Sequence, residues 1–360
     1  MKKITKLGLS ALCGSLAAVS VANAGEIDVA GTAELTYTTV DGNTTGHPIG
    51  MKSNLSFTGT GELDGGQKVA LTILHTDKNT WSAADITLTT NNIGTLQLSQ
   101  GNGGGLGGYD DKSPTAWEEV WDTATGASPD LAKGVNSSTN INWVSPSSKG
   151  GTKLTLAYAP QNDGVQVSDK SYSGNAKGKY KGMDVILDLA SNRRLSGFVG
   201  YSRTAQKTAA SHANHESPDG HHEEAIIGAK FKLGPFSMGY QRSGEDLKAQ
   251  AMTGLENREV DMYLNTSWGI AMNINDGLSV SYGEFSSNKI WTKQTMPTAG
   301  PGTAAFRTYT HKRKQKGHSW QAAYTIGGIT MKYANTTFNN VGYAEGANKD
   351  STLVSMGIAF

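Results

Sequence analysis

The sequence predicts an all-β fold, a single antiparallel barrel of sixteen strands that crosses a membrane with its apolar face turned outward. Three observations carry this. Apolar and polar residues alternate with period two from position 26 to the end of the chain, which marks strands with one apolar and one polar face. Short and long connections alternate along the chain. Beyond the first two dozen residues no run approaches the roughly 20 apolar residues that a helical span needs. Stretches such as Ala225 to Ala229 are soon interrupted, here by Lys230. Helical transporters and channels are thereby excluded.

The elements follow in chain order. Residues 1–24 read as a secretory signal peptide: Lys2, Lys3 and Lys6 make a positive start, residues 7–21 an apolar stretch, and Ala22-Asn23-Ala24 an A-x-A cleavage signal. The domain of the mature chain is expected to span 25–360. A lipoprotein leader needs a small residue before its cysteine, whereas Leu12 precedes Cys13. Cleavage would remove three lysines and the only cysteine, so 32 basic and 31 acidic residues become 29 and 31. No disulfide or thiolate metal site is then available, and backbone pairing must hold the fold. The near-zero charge balance gives no basic field for nucleic acid.

Strands are expected near 26–40, 50–63, 67–77, 82–91, 95–101, 136–145, 152–159, 180–190, 195–204, 222–233, 235–243, 258–274, 278–289, 312–326, 329–338 and 350–360. Val69, Leu71 and Ile73 alternate with Lys68, Ala70 and Thr72; Val354, Met356, Ile358 and Phe360 alternate with Leu353, Ser355, Gly357 and Ala359. The short connections are mostly glycine-bearing hairpin turns such as Asp64-Gly65-Gly66, Asn275-Asp276-Gly277 and Gly327-Gly328. The long ones, 41–49, 78–81, 102–135, 160–179, 205–221, 244–257, 290–311 and 339–349, are polar. A sixteen-stranded sheet avoids two unpaired edges by closing. Its lumen is too wide for side chains to fill, so the apolar face must meet lipid and the interior must be wet. Aromatic residues fall into two rings: Tyr37, Tyr158, Tyr201 and Tyr240 near the long loops, and Trp143, Trp268, Phe231, Phe236, Tyr324 and Phe360 near the short turns.

With its leader, sixteen strands, long connection after the fifth strand and terminal strand ending in Phe360, the chain resembles the Gram-negative general porins. That resemblance implies short periplasmic turns, long extracellular loops, an inward-folded third loop and a homotrimer in the outer membrane. It also implies that the strand ending in Phe360 is read by the outer-membrane assembly machinery. The implied function is a water-filled channel for passive diffusion of small hydrophilic solutes and ions, with no catalysis and no cofactor. Two alternatives stay open: a porin selective for a sugar, phosphate or amino acid, and an adhesion or receptor barrel with a plugged lumen.

The third loop is the least sheet-like stretch. Glycines from Gly101 to Gly108 let the chain turn off its strand. Gly103, Gly105 and Gly108 also satisfy G-x-G-x-x-G, but no crossover helix or parallel strand surrounds them. Ser113 and Pro114 suit a helix start, and Trp117, Val120 and Trp121 share a face, so a short helix is expected. It would place Glu118, Glu119 and Asp122 toward the lumen, with Asp110 and Asp111 nearby. Inward-phase lysines are Lys52, Lys68, Lys153, Lys230, Lys232 and Lys332, with Asp85 on strand four. Lys52 best matches the basic wall of the porins, whose compact arginine cluster is missing. Five loop acids without a clear counter-cluster predict weak cation preference.

Three further groups carry other chemistry. His212, His215, His221 and His222 with Glu216, Glu223 and Glu224 could bind metal, but without fixed ligand spacing they read as a polar loop, and no metal is expected. Lys312, Lys314 and Lys316 share the outward phase of Trp320 and would suit the phosphates of outer-membrane lipid and lipopolysaccharide. Six of the eight histidines cluster around loops five and seven, and nothing marks a hydrolase triad.

Overall fold

The structure is a computed structural model that describes residues 23–40, 47–77, 82–101, 103–165, 179–190, 194–206, 221–247, 260–295 and 307–359. Sixteen strands appear in it: β1 Asn23–Val40, β2 Ile49–Glu62, β3 Lys68–Thr76, β4 Ala83–Thr90, β5 Gly94–Gln100, β6 Thr139–Val144, β7 Lys153–Ala159, β8 Lys179–Ala190, β9 Leu195–Gln206, β10 His221–Leu233, β11 Phe236–Asp246, β12 Val260–Asn273, β13 Leu278–Thr295, β14 Arg307–Ile326, β15 Ile329–Asn339 and β16 Lys349–Ala359. Each pairs antiparallel with its neighbours in sequence, and β1 closes on β16 with Thr32 opposite Ala359. Closure leaves no edge, so the backbone ladder is continuous around the wall.

Alternation sets which face meets which medium. Ile27, Val29, Met51, Ile86, Met183, Ile227, Met238, Met331 and Met356 are exposed on the outside. Their neighbours one position away turn inward, and the buried inner side chains are mostly polar, among them Ser99, Asn140, Asn142, Ser202, Ser267, Ser319, Gln321 and Ser355. No helix among the described residues is long and apolar enough to cross a membrane. An apolar exterior of this extent on a closed sheet requires hydrocarbon around it.

Two expectations need correction. Ser113–Asp122 does not form a helix: the loop's 3-10 turn lies earlier, at Gly105–Tyr109, and 113–122 is irregular. The N–H groups of Ala116, Trp117 and Glu118 are bonded to wall side chains instead of to carbonyls four residues back. The two-ring placement of aromatics also fails for Tyr240, which sits directly opposite Trp268 in the β11–β12 register and lies nearer the short-turn end of β11, at Phe236, than its long-loop end, at Asp246. Trp268, on the short-turn side of β12 as expected, joins an outward cluster with Tyr282, 5.6 Å away between ring centroids, and Tyr282 meets Trp320 at 4.5 Å. Phe360 and the long loop carrying His212, His215 and Glu216 lie outside the described residues.

Lipid exposure makes the wall sensitive to outward charge. Ile227, midway along β10 and 58% exposed, is expected to cost about 2–4 kcal/mol when replaced by lysine. Reversible denaturant unfolding in lipid vesicles measures this, and a change below about 1 kcal/mol would mean that position 227 does not face hydrocarbon.

Candidate functional site

The connection between β5 and β6, residues 101–138, runs inside the barrel. Glycine makes its entry possible: Gly101, Gly103, Gly104 and Gly105 all have positive φ. Gly105 has a second reason, since a Cβ there would lie 2.2 Å from Asp184 Oδ2. The loop is then fastened strand by strand. Leu106 N–H (2.8 Å) and Val135 N–H (3.1 Å) both donate to Asp184 Oδ2 on β8, and Tyr109 hydroxyl donates to Asp188 at 2.5 Å. Gln241 on β11 accepts from Lys112 N–H at 3.0 Å and donates to Asp110 carbonyl at 2.6 Å. Ser113 pairs with Ser267 on β12 (2.7 Å), and Ser281 on β13 accepts from Ala116 N–H (2.8 Å). Gln321 on β14 accepts from the N–H groups of Trp117 and Glu118, both at 3.0 Å, and donates to Glu118 carbonyl at 2.6 Å. Ser351 on β16 donates to Thr123 carbonyl.

Apolar contacts reinforce these bonds. Leu106 and Ala132 pack with the inward Ile186, Phe198 and Ile226. Val120 packs with Phe285 and Phe338, with Trp121 alongside, and Val135 with Ala157 and Ala159. Each apolar cluster of the barrel interior therefore contains a loop residue. The close approach also explains Gly269, where a Cβ would come within 2.4 Å of Pro114 carbonyl oxygen.

This docking directs the loop acids toward the remaining wall. Glu118, Glu119 and Asp122 each place a carboxylate oxygen within 4.8 Å of the others. Lys332 Nζ forms an ion pair with Glu34 on β1 at 3.0 Å and lies 5.4 Å from the Trp117 ring. Burial raises the Glu118 carboxyl above its ordinary range although Lys52 and Lys332 pull it down, and burial raises Asp122 against the pull of Lys52. Glu119 is pushed up to about 7 by burial, opposed by its backbone hydrogen bond and reinforced by Asp111, Glu118 and Asp122. Burial and Asp111 push Asp110 up to about 6.

The structure thus brings Lys52 and Lys332 into range of Glu118, and Asp111 into range of Glu119. Asp111 also pairs with Lys112 at 2.8 Å. Lys68 and Lys153 are first residues of their strands, beside short turns, as Lys230 and Lys232 are near the end of theirs; among the described residues no ion pair joins Lys68 or Lys153 to the loop acids. Sequence reasoning missed Glu34 and the anchors Asp184, Gln241 and Gln321. A signal was present for the docking wall: Val185-Ile186-Leu187 and Ile226-Ile227 break the alternation by placing an apolar residue on the polar face. Two groups have the chemistry to hold a cation, the acids Glu118, Glu119 and Asp122, and a buried trio of His222, Glu224 and Glu245.

A sealed sixteen-strand wall, apolar outside and polar inside with a loop pinned across its lumen, defines a membrane pore. The sequence profile of the Gram-negative porin family matches residues 8–360, and the chain belongs to that family. No curated protein matches it by sequence. Its fold is similar to OmpF of Salmonella typhi in complex with daunomycin, at 14% identity and TM-score 0.62, covering 94% of this chain and 98% of that one. It is similar also to an anion-selective porin from Comamonas acidovorans (13%, TM-score 0.60, 93% and 99% covered) and to a trimer form of the outer membrane protein OmpT of Vibrio cholerae (8%, TM-score 0.58, 94% and 100% covered). The protein is an outer-membrane channel of a Gram-negative bacterium through which solutes diffuse passively.

Two outcomes are expected. Gln321→Leu leaves two loop N–H groups and one carbonyl without their wall partner, each worth about 1–3 kcal/mol if it stays unsatisfied. Single-channel recordings should show excess noise from a loosened loop; a quiet trace of unchanged conductance would argue that Gln321 does not hold it. As pH falls from 8 to 5, Glu119 and then Asp110 gain protons and lose negative charge. The cation-to-anion permeability ratio should fall over that window, measured by reversal potential.

Proposed function

We propose that the chain is a non-catalytic diffusion pore for small hydrophilic solutes and ions, narrowed between the third loop and the β1–β2–β15 wall, with weak preference for cations. The observation that supports this is the pinning of the loop from β8 to β16, with Glu118 and Asp122 in range of Lys52, Glu118 also in range of Lys332 and Glu34, and Glu119 in range of Asp111. The two lysines stand beside the cluster of Glu118, Glu119 and Asp122, and Glu34 already pairs with Lys332 at 3.0 Å. The local balance is negative, so a low-dielectric constriction favours cations, while carboxylates left open to the lumen water let them leave again. Lys68 and Lys153 belong to the same lumen wall nearer the short turns and would temper that preference at the periplasmic mouth.

The wider setting is proposed on the same footing. The leader would be cleaved after Ala24, leaving a mature domain of 25–360. The barrel would assemble as a homotrimer, which the trimer form of the similar Vibrio cholerae protein supports. Phe360 would present the last strand to the assembly machinery. Exposed Lys312, Lys314 and Lys316 stand on the outer face of β14, although Lys316 is paired with Glu284 at 3.1 Å; they would meet lipopolysaccharide phosphates.

In a KCl gradient the reversal potential should indicate cation preference. Combined Glu118→Gln, Glu119→Gln and Asp122→Asn substitution should abolish or invert it, and Lys52→Ala should strengthen it. Anion preference in the wild type, or no change in the triple variant, would reject the assigned constriction. Liposome swelling with a graded sugar series sets the size limit, and liposomes impermeable to the smallest sugar would favour a plugged barrel.

A further inference from the structure

A second set of titratable side chains lies in the lumen away from the loop acids. His222 and Glu224 are two positions apart on β10 and so share its inner face; Glu245 is directly opposite Glu224 on β11. His222 is therefore a wall residue, at the start of the strand expected over 222–233, and stands apart from His212 and His215 of the preceding long loop in the sequence. His222 Nε2 lies 2.8 Å from Glu245 Oε1 and 3.5 Å from Glu224 Oε1. All three residues are more than nine-tenths buried, with 3%, 4% and 6% exposure for His222, Glu224 and Glu245. One donor atom from each falls within 4.8 Å of the others.

Two features single this trio out from an ordinary buried network. Glu245 Oε2 is fully buried and has no hydrogen-bond donor among the described residues, although a buried carboxylate oxygen ordinarily finds one. Two carboxylates face each other across a strand pair, where like charges repel, with one imidazole between them. Lys133 of the loop lines the same cavity as Glu224 and Glu245, but its ammonium is hydrogen-bonded to Asp130, at 2.9 Å. The group borders a cavity of about 440 Å³ lined by Asp130, Lys133, Asn162, Asp163, Glu224 and Glu245, which can supply water as a further ligand.

We propose that His222, Glu224 and Glu245 form a divalent transition-metal site of the zinc class. One imidazole nitrogen and two carboxylates suit that class, and a hard cation such as magnesium would not call for the imidazole. The metal takes the place of the proton shared between His222 and Glu245, offsets both carboxylates and occupies the free Glu245 oxygen. Gly134 N–H donates to Glu224 Oε2, so a loop backbone group orients a ligand from behind, as outer hydrogen bonds to metal ligands do. The site therefore ties β10 and β11 to the returning limb of the third loop.

The test is a zinc titration by calorimetry on the full-length protein, folded in detergent and stripped of metal with chelator. One zinc ion per chain is expected, weakened at least about tenfold by His222→Gln and by Glu245→Gln. A variant with His212→Ala and His215→Ala should bind as the wild type does. Absence of binding would overturn the proposal, and so would binding that survives both wall substitutions or is lost with the loop histidines. Strand circular dichroism checks folding of each variant; should one wall variant not fold, the other decides.

Discussion

Every level of this structure depends on one constraint: in hydrocarbon, each backbone N–H and C=O must find its partner within the protein. Antiparallel pairing satisfies the groups between strands, and only closure of β1 on β16 satisfies those at the edges. Once the wall is sealed, period-two alternation does the rest, since it sends Ile227 to lipid and Glu224 and Ile226 to the lumen from adjacent positions. The same alternation that makes the barrel soluble in a bilayer makes its interior wet and chemically active.

The interior is organised by a second use of the same rule. The third loop has no ladder of its own, so its backbone groups are satisfied by Asp184, Gln241, Ser281 and Gln321 on the wall. This is why Ser113–Asp122 stays irregular despite a sequence suited to a helix: a helix would consume internally the N–H groups that the wall side chains take. Apolar patches under Leu106 and Val120 add burial that a polar lumen otherwise lacks. The loop is consequently fixed in position, and a fixed loop can hold acids at a defined distance from Lys52 and Lys332. Burial of those acids raises their proton affinity, which places the charge of the lumen within the range of ordinary pH change.

Strand number, connection lengths, outward face and the acidity of the third loop were all legible in the chain. They are properties of neighbouring residues: alternation is a two-residue pattern, and hairpin turns are glycine-bearing segments of a few residues. The acids Glu118, Glu119 and Asp122 were found because they are contiguous, and Lys52 because its phase on strand two points inward. What could not be read were pairings between residues far apart in the chain. Glu34 and Lys332 meet only because the first and fifteenth strands flank the sixteenth in the closed sheet. Tyr240 went to the wrong ring because pairing with β10 and β12 carries β11 on to Asp246, past the expected end at 243, and leaves Tyr240 nearer the short turn.

The sequence by itself determined that this is a lipid-facing barrel with a wet interior, because the environment of each strand residue follows from its parity along the strand. Tertiary structure alone decided where the loop runs, which wall residues hold it and which charges face one another. Those depend on closure and register, which bring together positions such as Ser351 and Thr123 and set Glu245 opposite Glu224, and the free energy of such contacts exists only after the wall has formed.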